Sequence, residues 1–335
     1  MSHSTVSVIG SGGWGTALAL LLSRHSQEKI SLWGHDPAQV EALRRDKVNL
    51  KYLPGVELPS CIHPTADLAQ CTKAQAIFLT VPSRHLTSIA REIASVGLGK
   101  ESILVSCTKG IELERGLLMS ELLAENLPEA SITVLSGPNL AAEVARGAPA
   151  AGVIGSAHPD LLPRVQRLFE GTGFRPYTSR DVRGIQLGGA LKNIFAIAAG
   201  ISDGLGLGEN ARAGIVTRSL AEMTRLGVAM GAERETFRGL SGVGDLMLTC
   251  FSRQSRNHQV GFRLGRGESI KAILASMTMV AEGIPTAASA HACARRLGVE
   301  TPIIDQIHAL IHEEKTPAQG MKDLLSRQLR TEEEV

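Results

Sequence analysis

The run VSVIGSGGWGTALALLL, residues 6–22, constrains this chain more than any other stretch. Val6–Ile9 is a short apolar run of strand character. Gly10, Gly12 and Gly15 follow in G-x-G-x-x-G spacing, and residues 16–22 read as the start of an apolar helix. The first glycine permits a tight turn, the second lets a pyrophosphate approach the backbone, and the third lets helix and strand pack closely. The helix start then offers N–H groups and the positive end of its dipole to the phosphates. A glycine turn alone is weak. A strand before it and a helix after it are the context that dinucleotide binding requires. The competing reading is a glycine-rich turn in another kind of α/β protein.

Composition sets the outer bounds. A chain of 335 residues is long enough for two domains. Aromatic residues make up only 3%, so a core drawn from the 43% hydrophobic residues must be mostly Ala, Leu, Ile and Val. The net charge is +2 with no long basic block, which does not suggest a nucleic-acid partner. Cys61, Cys71, Cys107, Cys250 and Cys293 are scattered and form no C-x-x-C pair. Neither a disulfide framework nor a zinc site is expected, and a reducing, cytoplasmic compartment fits. The ten histidines are read as lacking metal-ligand spacing, so no metal site is expected. No basic leader precedes the first strand, and no apolar run is read as approaching the ~20 residues that span a bilayer. The tail TEEEV reads as a solvated end.

Further strands are expected at residues 29–34, 76–81, 102–107, 132–136, 151–155 and 174–178. Helical patterns lie between them at 84–96, 116–125, 140–146 and 159–169, and Asp36 with Pro37 opens another. This alternation implies an α/β fold: a doubly wound, Rossmann-type parallel sheet with helices on both faces. GSGGWG, GHDP, VPS, TKG and GPN all fall at the C-terminal strand ends, where such sheets bind ligands. His35 and Asp36 stand where the adenosine ribose is read. An acidic side chain there favours a free 2′-hydroxyl and a cationic one tolerates a 2′-phosphate, so the pair does not choose between NAD and NADP. Asp36 reads equally as a helix N-cap before Pro37. From about residue 181 strand-like runs stop and long helical patterns begin. The expected domains are 1–180, dinucleotide-binding, and 181–335, an all-helical substrate and catalytic domain.

Three polar groups in the second half need explaining. Lys192 and Asn193 sit inside the apolar run GIQLGGALKNIFAIAAGI. A buried lysine is costly unless it is paired or used, and burial lowers its pKa toward the range of proton transfer. The alternative is a lysine reaching solvent at a helix edge. Asp245 follows GVG at an apparent helix start, as an N-cap, a ligand contact or both. Ser255, Arg256 and Asn257 form a hydroxyl, guanidinium and carboxamide at a helix start, a plausible phosphate cradle or a polar surface turn.

GSGGWGTALA, LWGHDP, VPS, TKGIE, SGPN, GIQLGGALKNIFAIAAGISDGLGLGENARAGIVTRSLAEMTRLG, GLSGVGDLMLTC, QSRN and VAEG together resemble one family along almost the whole chain. It is the bacterial-type NAD(P)-dependent glycerol-3-phosphate dehydrogenase. The resemblance implies reversible reduction of dihydroxyacetone phosphate to sn-glycerol 3-phosphate for phospholipid synthesis, by a cytoplasmic homodimer. It implies Lys192 as the proton-transferring residue, with Lys109 and Asp245 holding and polarising the substrate. Ser255, Arg256 and Asn257 take the phosphate end, and Gly137 and Asn139 line the same site. Gly13, Trp14, His35, Lys109, Ala141, Arg256, Val280 and Glu282 contact the cofactor, in addition to Gly10, Gly12 and Gly15. NADPH is the preferred cofactor, with NADH accepted. The family usually has Ser at the position of Gly13 and Ser or Thr at that of Asn139; tuning, not loss, is expected from both.

Overall fold

The computed structural model describes residues 5–25, 28–277, 279–313, 315–329 and 331–332; the last three residues of the TEEEV tail lie outside them. The chain divides into two compact units. One is Met1–Thr108 with Met119–Val182, the other Lys109–Leu118 with Arg183–Val335. The sequence reading runs the first domain unbroken to residue 180, whereas Lys109–Leu118 here joins the second unit.

The first unit begins β1 (Val6–Ile9), α1 (Gly13–Leu22), β2 (Ile30–Trp33), α2 (Pro37–Asp46), β3 (Val48–Asn49), β4 (Leu53–Glu57), β5 (Ile62–Thr65) and β6 (Ala76–Leu79). It continues α3 (Leu86–Val96), β7 (Ile103–Ser106), α4 (Met119–Asn126), β8 (Ser131–Ser136), α5 (Ala141–Ala145), β9 (Ala150–Gly155), α6 (Leu161–Arg167) and β10 (Phe174–Ser179). Eight strands form one sheet in the order β10-β9-β8-β7-β6-β1-β2-β5. Every residue of β1, β2, β6 and β7 is buried, as expected of parallel strands covered on both faces.

Three features differ from the sequence reading. β9 runs antiparallel to β8, and β10 follows β9, so the sheet is mixed. An apolar run carries no direction, and antiparallel neighbours need no crossover helix to reveal them. β5 was missed because Pro64 interrupts it; as the last strand of the sheet it tolerates a residue without an N–H donor. The β3–β4 hairpin, an antiparallel pair outside the main sheet, was also missed.

The second unit holds α7 (Val182–Gly204), α8 (Gly208–Ala229), α9 (Asp245–Phe251), α10 (Arg256–Gly265), α11 (Ile270–Ser276), α12 (Gly283–Leu297), α13 (Pro302–His312) and α14 (Pro317–Leu325). By length and composition α7 is apolar enough to cross a membrane, which corrects the expectation that no run approaches that length. Its apolar stretch is wholly buried among the other helices. A helix apolar on all sides suits the centre of a helical core.

Glycines let α10 lie against α7 backbone to backbone. A Cβ at Gly200 would sit 2.1 Å from the His258 carbonyl oxygen, and one at Gly261 would sit 2.0 Å from that of Ile197. This close crossing holds the α10 start near the turn of α7 that carries Asn193. Gly200→Ala should lower the unfolding free energy by about 2–4 kcal/mol in urea titration, since the contact is with backbone that cannot rotate away. Gly214→Ala, at an exposed position of α8 where the added Cβ meets nothing within 4 Å, should be neutral or stabilise by up to about 1 kcal/mol. Equal stability of the two variants would contradict the close crossing.

Candidate active site

In the first unit the glycine turn follows β1, and its shape explains its glycines. Gly10 has φ +120°. A Cβ at Gly15 would lie 1.8 Å from the Gly10 carbonyl oxygen and 2.5 Å from Thr80 Oγ1. The Thr80 hydroxyl lies 3.0 Å from the Gly10 carbonyl oxygen and 3.1 Å from that of Ile9, which pins the turn to the end of β6. Gly12 caps α1 without a side-chain hydrogen bond, and the first turn holds no acidic residue. The turn therefore presents backbone N–H groups and a positive dipole end, with no Cβ in the way, which fits a pyrophosphate. Trp14 is half-buried and packs on the core of this unit.

His35 is exposed just past β2. Asp36, for which two roles stood open, is the N-cap of α2: its Oδ1 accepts from the Ala38 N–H at 3.0 Å. Gly137, with φ +138°, follows β8, and Ala141 opens α5. Between them Asn139 Oδ1 is buried without a hydrogen-bond partner among the described residues.

In the second unit one carboxylate gathers two lysines. Asp245 opens α9 and has no solvent exposure. Its Oδ2 accepts from Lys109 Nζ at 2.6 Å, and its Oδ1 accepts from Lys192 Nζ. Lys192 also donates to Thr249 Oγ1 at 2.8 Å, and that hydroxyl donates to the Asp245 carbonyl at 2.6 Å. Lys192 is thus a buried, paired lysine and not one at a helix edge. Burial pushes its pKa down to about 7; Asp245 acts against that shift and the Lys109 charge adds to it. A wide turn at Leu240–Gly244, in which the Gly244 N–H donates to the Gly239 carbonyl five residues back, delivers Asp245 to the helix start.

The SRN triplet builds a second cluster. Ser255 is the N-cap of α10, its Oγ accepting from the His258 N–H at 3.3 Å. Arg256 is exposed and donates from Nη1 to the Val280 carbonyl at 2.8 Å. Asn257 donates to Asn193 Oδ1 at 2.9 Å and accepts from the Gly283 N–H at 2.9 Å. Val280 and Glu282 therefore lie in a segment tied to the triplet at both ends, and Asn193 joins it to the helix turn carrying Lys192. Thr249 was missed by the sequence reading. Its position four residues after Asp245, on the same helix face, is the signal that could have found it.

His308 and His312 do carry an H-x-x-x-H spacing on α13, which corrects the reading of the histidines. His291 stacks on His308 with ring centroids 4.1 Å apart. Among the described residues no group of three or more His, Cys, Asp or Glu is arranged to hold a metal. All five cysteines are free and buried.

The family model described as NAD-dependent glycerol-3-phosphate dehydrogenase N-terminus matches residues 5–162, and its C-terminus counterpart matches residues 181–322. The chain is 46% identical to a glycerol-3-phosphate dehydrogenase [NAD(P)+] of Syntrophotalea carbinolica, over 98% of this chain and 99% of that one. It is 45% identical to the protein of that name from Geobacter sulfurreducens, over 98% of each. The crystal structure of a glycerol-3-phosphate dehydrogenase from Coxiella burnetii superposes with a TM-score of 0.93 at 36% identity, covering 97% of this chain and 99% of that one. A ketopantoate reductase from Ralstonia eutropha, at 17% identity and a TM-score of 0.62 over 94% of this chain and 99% of that one, shares the fold alone. The chain belongs to the NAD-dependent glycerol-3-phosphate dehydrogenase family.

Proposed function

We propose that this chain reduces dihydroxyacetone phosphate reversibly to sn-glycerol 3-phosphate with NAD(P)H, feeding glycerophospholipid synthesis in the cytoplasm. The observation that carries the reading is the Lys192–Asp245–Lys109 cluster in a member of this family. A nicotinamide cofactor, when bound, supplies the hydride for the carbonyl carbon. Lys192 Nζ gives a proton to the carbonyl oxygen as negative charge develops there, and takes it back in the reverse direction. Asp245 holds both ammonium groups in place, and Lys109 polarises the carbonyl.

The phosphate end falls to Ser255, Arg256 and Asn257. Arg256 spends one N–H on Val280 and offers the rest of its fork to an anion. The Ser255 hydroxyl accepts a capping bond and keeps its own proton to donate. Asn257, engaged at both ends of its carboxamide, holds the frame. Binding energy from this remote phosphate can be used to orient the reacting carbonyl.

NADPH is the proposed preference, with NADH accepted. Asp36 spends its carboxylate on the α2 cap, while exposed His35 is able to meet a 2′-phosphate. A homodimer is part of the same proposal. The direct test is nicotinamide absorbance with dihydroxyacetone phosphate, run separately with NADPH and NADH. Oxidation of either supports the reading; none in a folded, cofactor-binding protein contradicts it.

Lys192→Ala should lower kcat by about 100-fold or more while leaving dinucleotide affinity nearly unchanged. Reduction needs Lys192 protonated, so its rate should fall as pH rises through about 7 and the oxidation rate should rise over the same range. Pre-steady-state pH profiles lacking this opposed pair of inflections would remove Lys192 from the chemistry. Thr249→Val removes an acceptor that favours the charged lysine. It should cost about tenfold in kcat and move the inflection to lower pH. An unmoved inflection would show that the hydroxyl does not tune the lysine.

A further inference from the structure

We propose that Asn49 is a positioning residue for dinucleotide binding, its carboxamide holding the glycine-rich turn in binding shape before any ligand arrives. The inference rests on the reading of that turn as the dinucleotide site. Asn49 lies in the β3–β4 hairpin, far along the chain from the turn, and is 1% exposed. Its Nδ2 donates to the Ser11 carbonyl at 2.9 Å and to Thr16 Oγ1 at 2.7 Å. Its Oδ1 accepts from the Tyr52 N–H at 3.2 Å. One carboxamide thus bridges Ser11, which stands between the first two glycines, Thr16, just past the third, and the hairpin itself.

Two neighbours complete the device. Gln39 Nε2 of α2 donates to the same Ser11 carbonyl at 3.2 Å. The Tyr52 carbonyl oxygen would lie 3.0 Å from a Cβ at Gly13, so the hairpin backbone sits directly against the α1 start. The chain reaches this position through an unfavourable turn. Lys47 is the one non-glycine residue with positive φ, +51°, among the described residues, and it ends α2 immediately before the hairpin. The Leu58 N–H closes the hairpin onto the Lys47 carbonyl at 2.7 Å. A left-handed lysine persists where the surroundings demand it, and here the demand is delivery of Asn49 beneath the turn.

A turn rich in glycine has many alternative conformations, and ligand affinity falls by the fraction of molecules in the competent one. Holding the Ser11 carbonyl from two sides removes alternatives that would rotate its peptide plane. The hydrogen bonds of Asn49 go to backbone groups and one hydroxyl, so its effect on the dinucleotide runs through the turn.

The test measures NADPH dissociation constants by nicotinamide fluorescence on the full chain, with melting temperatures taken without dinucleotide. Asn49→Ala should weaken NADPH roughly tenfold or more, the scale of one buried hydrogen bond lost. Its KM for the dinucleotide should rise in step while that for dihydroxyacetone phosphate does not. Gln39→Ala, at a half-buried site that threatens folding less, should weaken NADPH by about twofold to threefold. A lowered melting temperature with unchanged affinity in Asn49→Ala would show a structural role only and overturn the proposal. Should that variant fail to fold, unchanged affinity in Gln39→Ala overturns it and weakened affinity supports it. A wild-type chain that binds no dinucleotide would instead overturn the reading of the turn.

Discussion

A carboxylate with no solvent exposure, held between two lysines, is the interaction on which the second unit depends. Burying Asp245 alone would cost several kcal/mol, so it needs partners. Two ammonium groups supply them, Lys109 at one carboxylate oxygen and Lys192 at the other. The side chain of Lys192 is only 9% exposed, and that burial lowers its pKa to about 7. A lysine poised near neutrality follows from burial, opposed by Asp245 and assisted by the Lys109 charge.

Packing serves the trio. Glycines at the α7–α10 crossing bring the SRN helix start against the α7 turn carrying Asn193, and Asn193 passes the contact to Asn257 and on to the α12 start at Gly283. The wide turn before α9 aims Asp245 at the lysines, and Thr249 one helical turn later holds Lys192 from the other side. In the first unit the same economy recurs. Glycines clear the backbone at the turn, and Thr80, Asn49 and Gln39 supply from elsewhere in the chain the hydrogen bonds that fix it.

Much of this was legible in the sequence because local patterns carried it. The strand–glycine–helix run, the apolar strands and the helical second half each have a period or a punctuation that needs no tertiary contact to be read. Lys192 stood out because a charge inside an apolar run demands a reason. Other features were not legible because they depend on partners distant in sequence. The direction of β9 depends on its neighbour β8, and β5 reads poorly because Pro64 is acceptable only at an edge. The Lys109–Leu118 excursion depends on contacts with helices far along the chain. The capping role of Asp36 rests on its contact with the Ala38 N–H, which the sequence alone does not fix. Asn49 carries no motif at all; only its burial and its bonds mark it.

The measurement that bears most directly on this account is the titration of Lys192 itself, by NMR of the Nζ nitrogen in the isotopically labelled, intact chain without substrate. Assignment follows from the resonance lost in Lys192→Arg. A midpoint near 7 is expected, set by burial against a single shared carboxylate. A midpoint close to the ordinary lysine value of 10.5 would contradict it, and the proton in the reaction would then have to come from another group.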